Sequence, residues 1–227
     1  MAGQPKPEPI DIEANPRIQV LAFNNCENLK RQYNQWYTAT PPLHSCYEGL
    51  GPGDYFAKTM IKALPKKVKI GLVPLGLSGM DIDLFRKGVI SKKRHEYDWF
   101  SIPPDNHWPG AYAWIMQRAK LAQKSGVIKG ILFHQGESDN GSPIWLDGVK
   151  EMVGDLRADL GLSEDTPFIA GELVHEGCCI HQNPVIAKIP QTIPNSHVVS
   201  AKGLSKMDNA HFDLEGQRAL GRRYADK

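Results

Sequence analysis

The chain has 227 residues, 41% of them hydrophobic and 23% charged, with a formal net charge of +2. That length and balance are ordinary for a globular protein with a sizeable core, and we expect residues 1–227 to form a single domain. The small charge gives no reason to expect nucleic acid or an anionic membrane as partner. No run reaches the apolar length of a transmembrane helix, and the first residues lack the apolar core of a signal peptide.

Four cysteines, Cys26, Cys46, Cys178 and Cys179, are too few for a disulfide scaffold and fit no zinc spacing, so no metal site is expected. A single bridge such as Cys26 to Cys46 would suit an exported protein, which leaves the compartment open.

Taken in order, Gln4 to Pro16 holds four prolines and several charges and should be irregular. Ile18–Phe23 is the first strand candidate. Asn24 to Pro42 is polar and aromatic. Tyr33, Trp36 and Tyr37 there suit either a sugar-stacking face or core anchoring. Gly49-Leu50-Gly51-Pro52-Gly53 is a tight turn, followed by an amphipathic helix over Asp54–Leu64. No Gly-Lys-Ser/Thr follows, so a phosphate loop is a weak reading.

Lys69–Pro74 is the second strand, opening into Leu75-Gly76-Leu77-Ser78-Gly79-Met80. Glycines there either let a backbone N–H approach a ligand or form a plain turn. Gly88 to Pro109 is charged, holds Trp99 and Trp108, and reads as a long surface insertion. A helix over Ala111–Ser125 has Gly126 as a C-cap candidate. Ile144–Leu160 is helical and closed by Gly161, Pro167–Leu173 is a strand, and His197–Ser200 is a short last strand. Leu214–Ala225 is a terminal helix with arginines in its last turns, where they complement the helix dipole. Strands alternating with helices argue for a parallel sheet covered on both faces.

The chain is organised around Ile131-Leu132-Phe133-His134-Gln135-Gly136-Glu137-Ser138-Asp139-Asn140. The run Gly130–His134 reads as a buried strand, and the polar residues after it stand at the carboxyl edge of a sheet, where open α/β folds keep their binding crevice. An ordinary strand-to-helix turn capped by Ser138 or Asp139 is the plainer alternative. Before the last helix comes Met207-Asp208-Asn209-Ala210-His211-Phe212-Asp213. A His is the usual general base at neutral pH, and an Asp three residues earlier can hold its tautomer and stabilise the imidazolium.

These blocks together resemble the SGNH-type esterases, in the branch that holds sialate O-acetylesterases and the acetyl xylan esterases of carbohydrate esterase family six. Gly49–Gly53 is similar to a family turn, and Gly71-Leu72-Val73-Pro74 through Gly79 to its second block. His134-Gln135-Gly136-Glu137-Ser138-Asp139 is the most specific match, and Asp208-Asn209-Ala210-His211 fits the closing Asp-x-x-His. The resemblance implies a three-layer α/β/α SGNH-hydrolase (flavodoxin-like) fold with a mainly parallel central sheet. It also implies a serine esterase that removes O-acetyl groups from carbohydrate, acetyl xylan esterase-like, with acetylated xylan, acetylated sialic acid and a small acetyl ester left open as substrates. His211, Glu137 and Asp208 would be catalytic, Gly79 and Gln135 would form the oxyanion hole, and neither metal nor organic cofactor is needed. Either carboxylate suits the orienting role, and Glu137, set by a strand, is expected to make the closer bond to His211. A plant polysaccharide substrate would favour a secreted or periplasmic location.

One departure stands beside the match. The family's nucleophile lies in Gly-Gln-Ser-Asn-Met-Ala-Gly, and this chain opens Met1-Ala2-Gly3. The simplest expectation is that the first strand and the nucleophilic serine lie upstream, leaving a gap in the sheet and negligible activity in these residues alone. A circular permutation would need a strand after the terminal helix. A rewired site would need Ser45, Ser78 or Ser138, none of which follows a strand with the turn that exposes a nucleophile. A non-catalytic carbohydrate-binding relative is the alternative from another class.

Overall fold

The computed structural model describes residues 5–89 and 110–227. Met1–Gly3 and nearly all of the charged stretch read as a surface insertion lie outside the described residues. In chain order the elements are α1 (Pro9–Ile12), β1 (Ile18–Leu21), β2 (Trp36–Thr38), α2 (Pro52–Ala63), β3 (Ile70–Leu72), α3 (Ala111–Gln123), β4 (Ile131–Phe133), α4 (Trp145–Leu160), β5 (Phe168–Gly171), α5 (Asn183–Ile186), α6 (Ile189–Thr192), β6 (Ser196–Val199) and α7 (Leu214–Ala225). They fall into two compact units. One runs from the N-terminal stretch through Ser78 and resumes at Gly203–Lys227, and the other is Gly79–Lys202.

The first unit carries a sheet in the order β2-β1-β3. Strand β1 pairs antiparallel with β2 and parallel with β3. Strand β2 falls in the polar, aromatic stretch Asn24 to Pro42, where no strand is expected. Its Trp36 lies over the bare Cα of Gly71, where an added Cβ would stand 3.0 Å from the indole. Tyr37 packs against the cluster of Ile18, Val20, Ala39, Leu43, Ala57 and Ile61, so this aromatic anchors the core. The proline-rich start also differs from the irregular segment expected, because Pro9 suits the first turn of α1 and Asp11 accepts the Glu8 N–H at 2.8 Å. Asp54 does the same for Gly51 at the start of α2, at 3.1 Å.

Helices α2 and α7 approach at glycine. A Cβ on Gly221 would sit 2.3 Å from the Pro52 carbonyl oxygen. Three residues earlier on α7, Arg218 is buried and holds Asp11 through two bonds, Nε–Oδ1 at 2.9 Å and Nη2–Oδ2 at 2.7 Å. Its Nη2 also reaches Glu8 at 2.7 Å. Bidentate Arg–carboxylate geometry of this kind is what makes a buried charge tolerable.

The second unit carries a parallel sheet in the order β4-β5-β6. Every residue of β5 is buried. Strand β4, read from its apolar run as buried, has Leu132 at 38% exposure, because within the described residues it pairs only with β5. Phe133 stands 5.3 Å from the Phe168 ring and 6.2 Å from that of Trp145, which ties β4 to β5 and α4. Helix α4 ends at Gly161 with φ 62, the left-handed C-cap expected. The described strands therefore form two three-stranded sheets, with β3 and β4 as edge strands, and not one continuous sheet.

Candidate active site

Loop residues 205–213 of the first unit are built to present His211. Phe212 is fully buried, and Asp213 caps α7 by accepting the Gly216 N–H at 2.8 Å and the Ser205 hydroxyl. Only glycine fits at 216, since a Cβ there would lie 2.2 Å from the Ser205 carbonyl oxygen. Between these anchors Asp208 Oδ1 accepts the N–H groups of Ala210 at 2.7 Å and His211 at 2.8 Å. Its Oδ2 accepts from His211 Nδ1 at 2.8 Å. The Ala210 and His211 bonds hold the Asp208 carboxyl down at about 2. With Nδ1 donating, a neutral His211 keeps Nε2 as its proton acceptor. Within its own loop, His211 therefore has the Asp of the closing Asp-x-x-His at its Nδ1.

In the second unit the polar block after β4 is held from several sides. Gln135 is buried and donates from Nε2 to the Met80 carbonyl at 2.8 Å and to Asp139 Oδ2 at 2.5 Å, while its Oε1 accepts Trp145 Nε1 at 2.7 Å. Both amide hydrogens are thus engaged, and an oxyanion role for Gln135 requires it to release one of them. Asp139 Oδ2 also accepts the Ile82 N–H at 2.9 Å. Burial raises its carboxyl, and the bonds from Gln135 and Ile82 oppose that shift. Burial likewise holds His134 well below the ordinary histidine value, so its imidazole is neutral. Glu137 opens a short 310 turn, Glu137–Asp139. Ser138 in that turn donates to the Gly79 carbonyl at 2.7 Å, and Gly79 itself sits at φ 71.

The three serines considered as substitutes for a nucleophile each bond another group. Ser45 is buried and its hydroxyl accepts the Tyr47 N–H at 3.3 Å. Ser78 donates to Glu48 Oε1 at 3.3 Å, and Ser138 donates to Gly79 as above. None of these bonds goes to an imidazole of the described residues.

Sequence reading missed several polar groups. Burial pushes the Glu48 carboxyl up to about 7. Glu172, directly after β5, has its Oε2 within 2.9 Å of His175 Nε2, 2.7 Å of the Ser200 hydroxyl and 2.9 Å of the Ala201 N–H. Burial would raise this carboxyl, but the three bonds outweigh it and hold it below the ordinary value. The signal available was a carboxylate directly after a strand glycine, Gly171-Glu172. Cys26 pairs with Cys46, and Cys178 pairs with its neighbour Cys179.

Comparison with known proteins follows the same line. The chain is similar to the probable carbohydrate esterase At4g34215 of Arabidopsis thaliana, 29% identical over 199 residues, covering 82% of this chain and 68% of that protein. The X-ray structure of the Arabidopsis thaliana protein AT4G34215 matches with a TM-score of 0.74 at 26% identity, covering 97% of this chain and 84% of that one. The crystal structure of NanS matches with a TM-score of 0.74 at 16% identity over 100% of this chain and 92% of that one, a likeness of fold. The fold is the α/β/α type of the SGNH hydrolases. A family model described as carbohydrate esterase, sialic acid-specific acetylesterase, matches residues 1–227. The chain belongs to this family of carbohydrate esterases, whose substrates are acetylated carbohydrates.

Proposed function

We propose that the chain removes O-acetyl groups from carbohydrate by acyl transfer to water through a serine ester, with acetylated xylan as the first substrate class. The Asp208–His211 pair carries this reading, at 2.8 Å between Oδ2 and Nδ1. A serine oxygen adds to the acetyl carbonyl carbon while His211 Nε2 takes its proton. The sugar oxygen leaves with that proton, and water, deprotonated by the same nitrogen, releases acetate. Asp208 takes the orienting role, and Glu137 is the second carboxylate of the reading. The backbone N–H of Gly79 and the Gln135 amide are the proposed oxyanion donors, the latter only after giving up Met80 or Asp139. The two disulfides support an oxidising, non-cytosolic location.

Ser45, Ser78 and Ser138 each bond another group, and the reading takes its nucleophile, as the family resemblance implies, from a serine outside these 227 residues. The same observation favours the second reading, a carbohydrate-binding relative without catalysis. Acetate release from acetylated xylan, acetylated sialic acid and p-nitrophenyl acetate separates the two. The expected result is negligible turnover by the 227-residue chain, and turnover dependent on His211 by a product that includes in-frame upstream sequence. Inactivity of both, with retained binding to xylan, establishes the second reading. Activity of the 227-residue chain lost on mutating Ser45, Ser78 or Ser138 establishes a rewired site.

A further inference from the structure

The two disulfides differ in what the fold does for them. A bridge gains support from folding mainly through the freedom it removes from the unfolded chain, and that gain grows with the loop enclosed. Cys26–Cys46 spans a sequence separation of 20, whereas Cys178–Cys179 joins adjacent residues and encloses no loop. Folding therefore favours the first bridge and gives the second almost no such support. The second is also open to attack, since Cys178 is exposed while Cys179 is 7% exposed.

Its surroundings lead to the block after β4. Asn140, next to the Glu137–Asp139 turn, donates from Nδ2 to the Cys178 carbonyl at 3.4 Å. The Cys179 carbonyl accepts the Gln182 N–H at 3.1 Å. Gln182 is fully buried, its Oε1 accepts the Gly141 N–H at 3.3 Å, and its Cγ occupies the space a Cβ on Gly136 would need, 2.8 Å away. The next residue, Asn183, is fixed independently, because its amide bonds both the N–H and the carbonyl of Leu173, at 2.8 and 3.1 Å. Leu173 and Asn183 thus anchor the segment that carries the cysteine pair, and Asn140 and Gln182 link that segment to the loop after β4.

We propose that Cys178–Cys179 is a reversible disulfide–dithiol site that exchanges with small dithiols, chelates trivalent arsenicals when open, and on opening loosens the Gly136–Gly141 loop. A thiolate of the dithiol attacks the exposed Cys178 sulfur, and Cys179 leaves as a thiolate that takes a proton. The second thiol of the reductant then displaces Cys178, so two electrons and two protons pass to the protein and the reductant becomes a cyclic disulfide. Phenylarsine oxide then forms two As–S bonds to the open pair and releases water.

The test uses the native chain in graded dithiothreitol, with N-ethylmaleimide mapping of each cysteine and hydrogen exchange of residues 136–141. Cys178 and Cys179 are expected to label at a reductant concentration about tenfold or more below that needed for Cys26 and Cys46, and to reclose when the reductant is removed. Phenylarsine oxide should block that labelling only after reduction. Exchange at 136–141 should speed up about tenfold on opening, and the double variant Cys178→Ser with Cys179→Ser should reproduce it. If the variant does not fold, the wild-type titration still decides. Labelling of both residues without reductant, opening of both bridges together, or unchanged exchange at 136–141 overturns the proposal. Labelling and exchange do not depend on turnover, so the exchange site stands or falls by these readouts alone, while the esterase reading stands or falls by acetate release from the product that includes in-frame upstream sequence.

Discussion

Asp208 and His211 meet through three separate bonds: the carboxylate accepts the His211 backbone N–H at 2.8 Å and flanks its Nδ1 at 3.0 and 2.8 Å. One side chain therefore fixes both the loop and the ring it carries, so changes at Asp208 act on tautomer and position together. In the esterase-active form, Asp208→Asn is expected to lower kcat by roughly 10⁴, the cost of the equivalent change in a serine protease. Glu137→Gln should cost far less. The check is kcat/KM on an acetylated sugar for both folded variants, and the opposite ranking would return the orienting role to Glu137.

Stability should depend on pH through Glu48. Its folded value near 7 lies above the ordinary 4.5, so the folded chain holds this proton more tightly than the unfolded one. The sign follows from linkage: stability is highest below the unfolded value, falls as pH rises toward 7, and is level beyond it. Glu48→Gln should match wild type at pH 4 and exceed it at pH 8, by at most about 3 kcal/mol. Denaturant melts at the two pH values measure this.

Two glycine substitutions should act in opposite directions. Gly221→Ala drives a Cβ to 2.3 Å from the Pro52 carbonyl and 2.9 Å from the Phe56 N, both backbone atoms that cannot swing aside. A loss of at least about 1–3 kcal/mol is expected. Gly154→Ala, inside α4 with nothing within 4 Å of the new atom, should gain roughly 0.5–1 kcal/mol from helix propensity. Thermal midpoints of the pair give the comparison.

Arg218 should be costly to remove alone. Arg218→Met leaves Asp11, with no exposure, as a buried carboxylate whose remaining partners are the Tyr55 hydroxyl and the Glu8 N–H. A loss of about 3–5 kcal/mol is expected. Adding Asp11→Asn should recover part of it, because the stranded charge is then gone. Denaturant midpoints of the two singles and the double close the cycle.

Features set by neighbouring residues were legible in the sequence. Helix α7 spans Leu214–Ala225 as expected, with Arg222 and Arg223 in its last turn, and α4 stops at Gly161, which takes the left-handed conformation glycine adopts freely. The Asp208–His211 pair spans three residues of one loop, and such a contact needs little besides local backbone geometry. The tertiary structure decided what depends on partners distant in the chain. Strand β2 exists because β1 pairs with it, and nothing in Trp36–Thr38 alone announces that. An apolar run reports what a strand would prefer to bury, not how many neighbours it receives, so β4 read as buried and, among the described residues, pairs only with β5. Gln135 reads as a free amide donor until Met80, 55 residues earlier, and Trp145 claim its hydrogen-bonding groups. The bond between Cys178 and Cys179 was equally invisible, since adjacency in sequence does not bring two sulfurs together unless the surrounding chain holds the peptide between them in place.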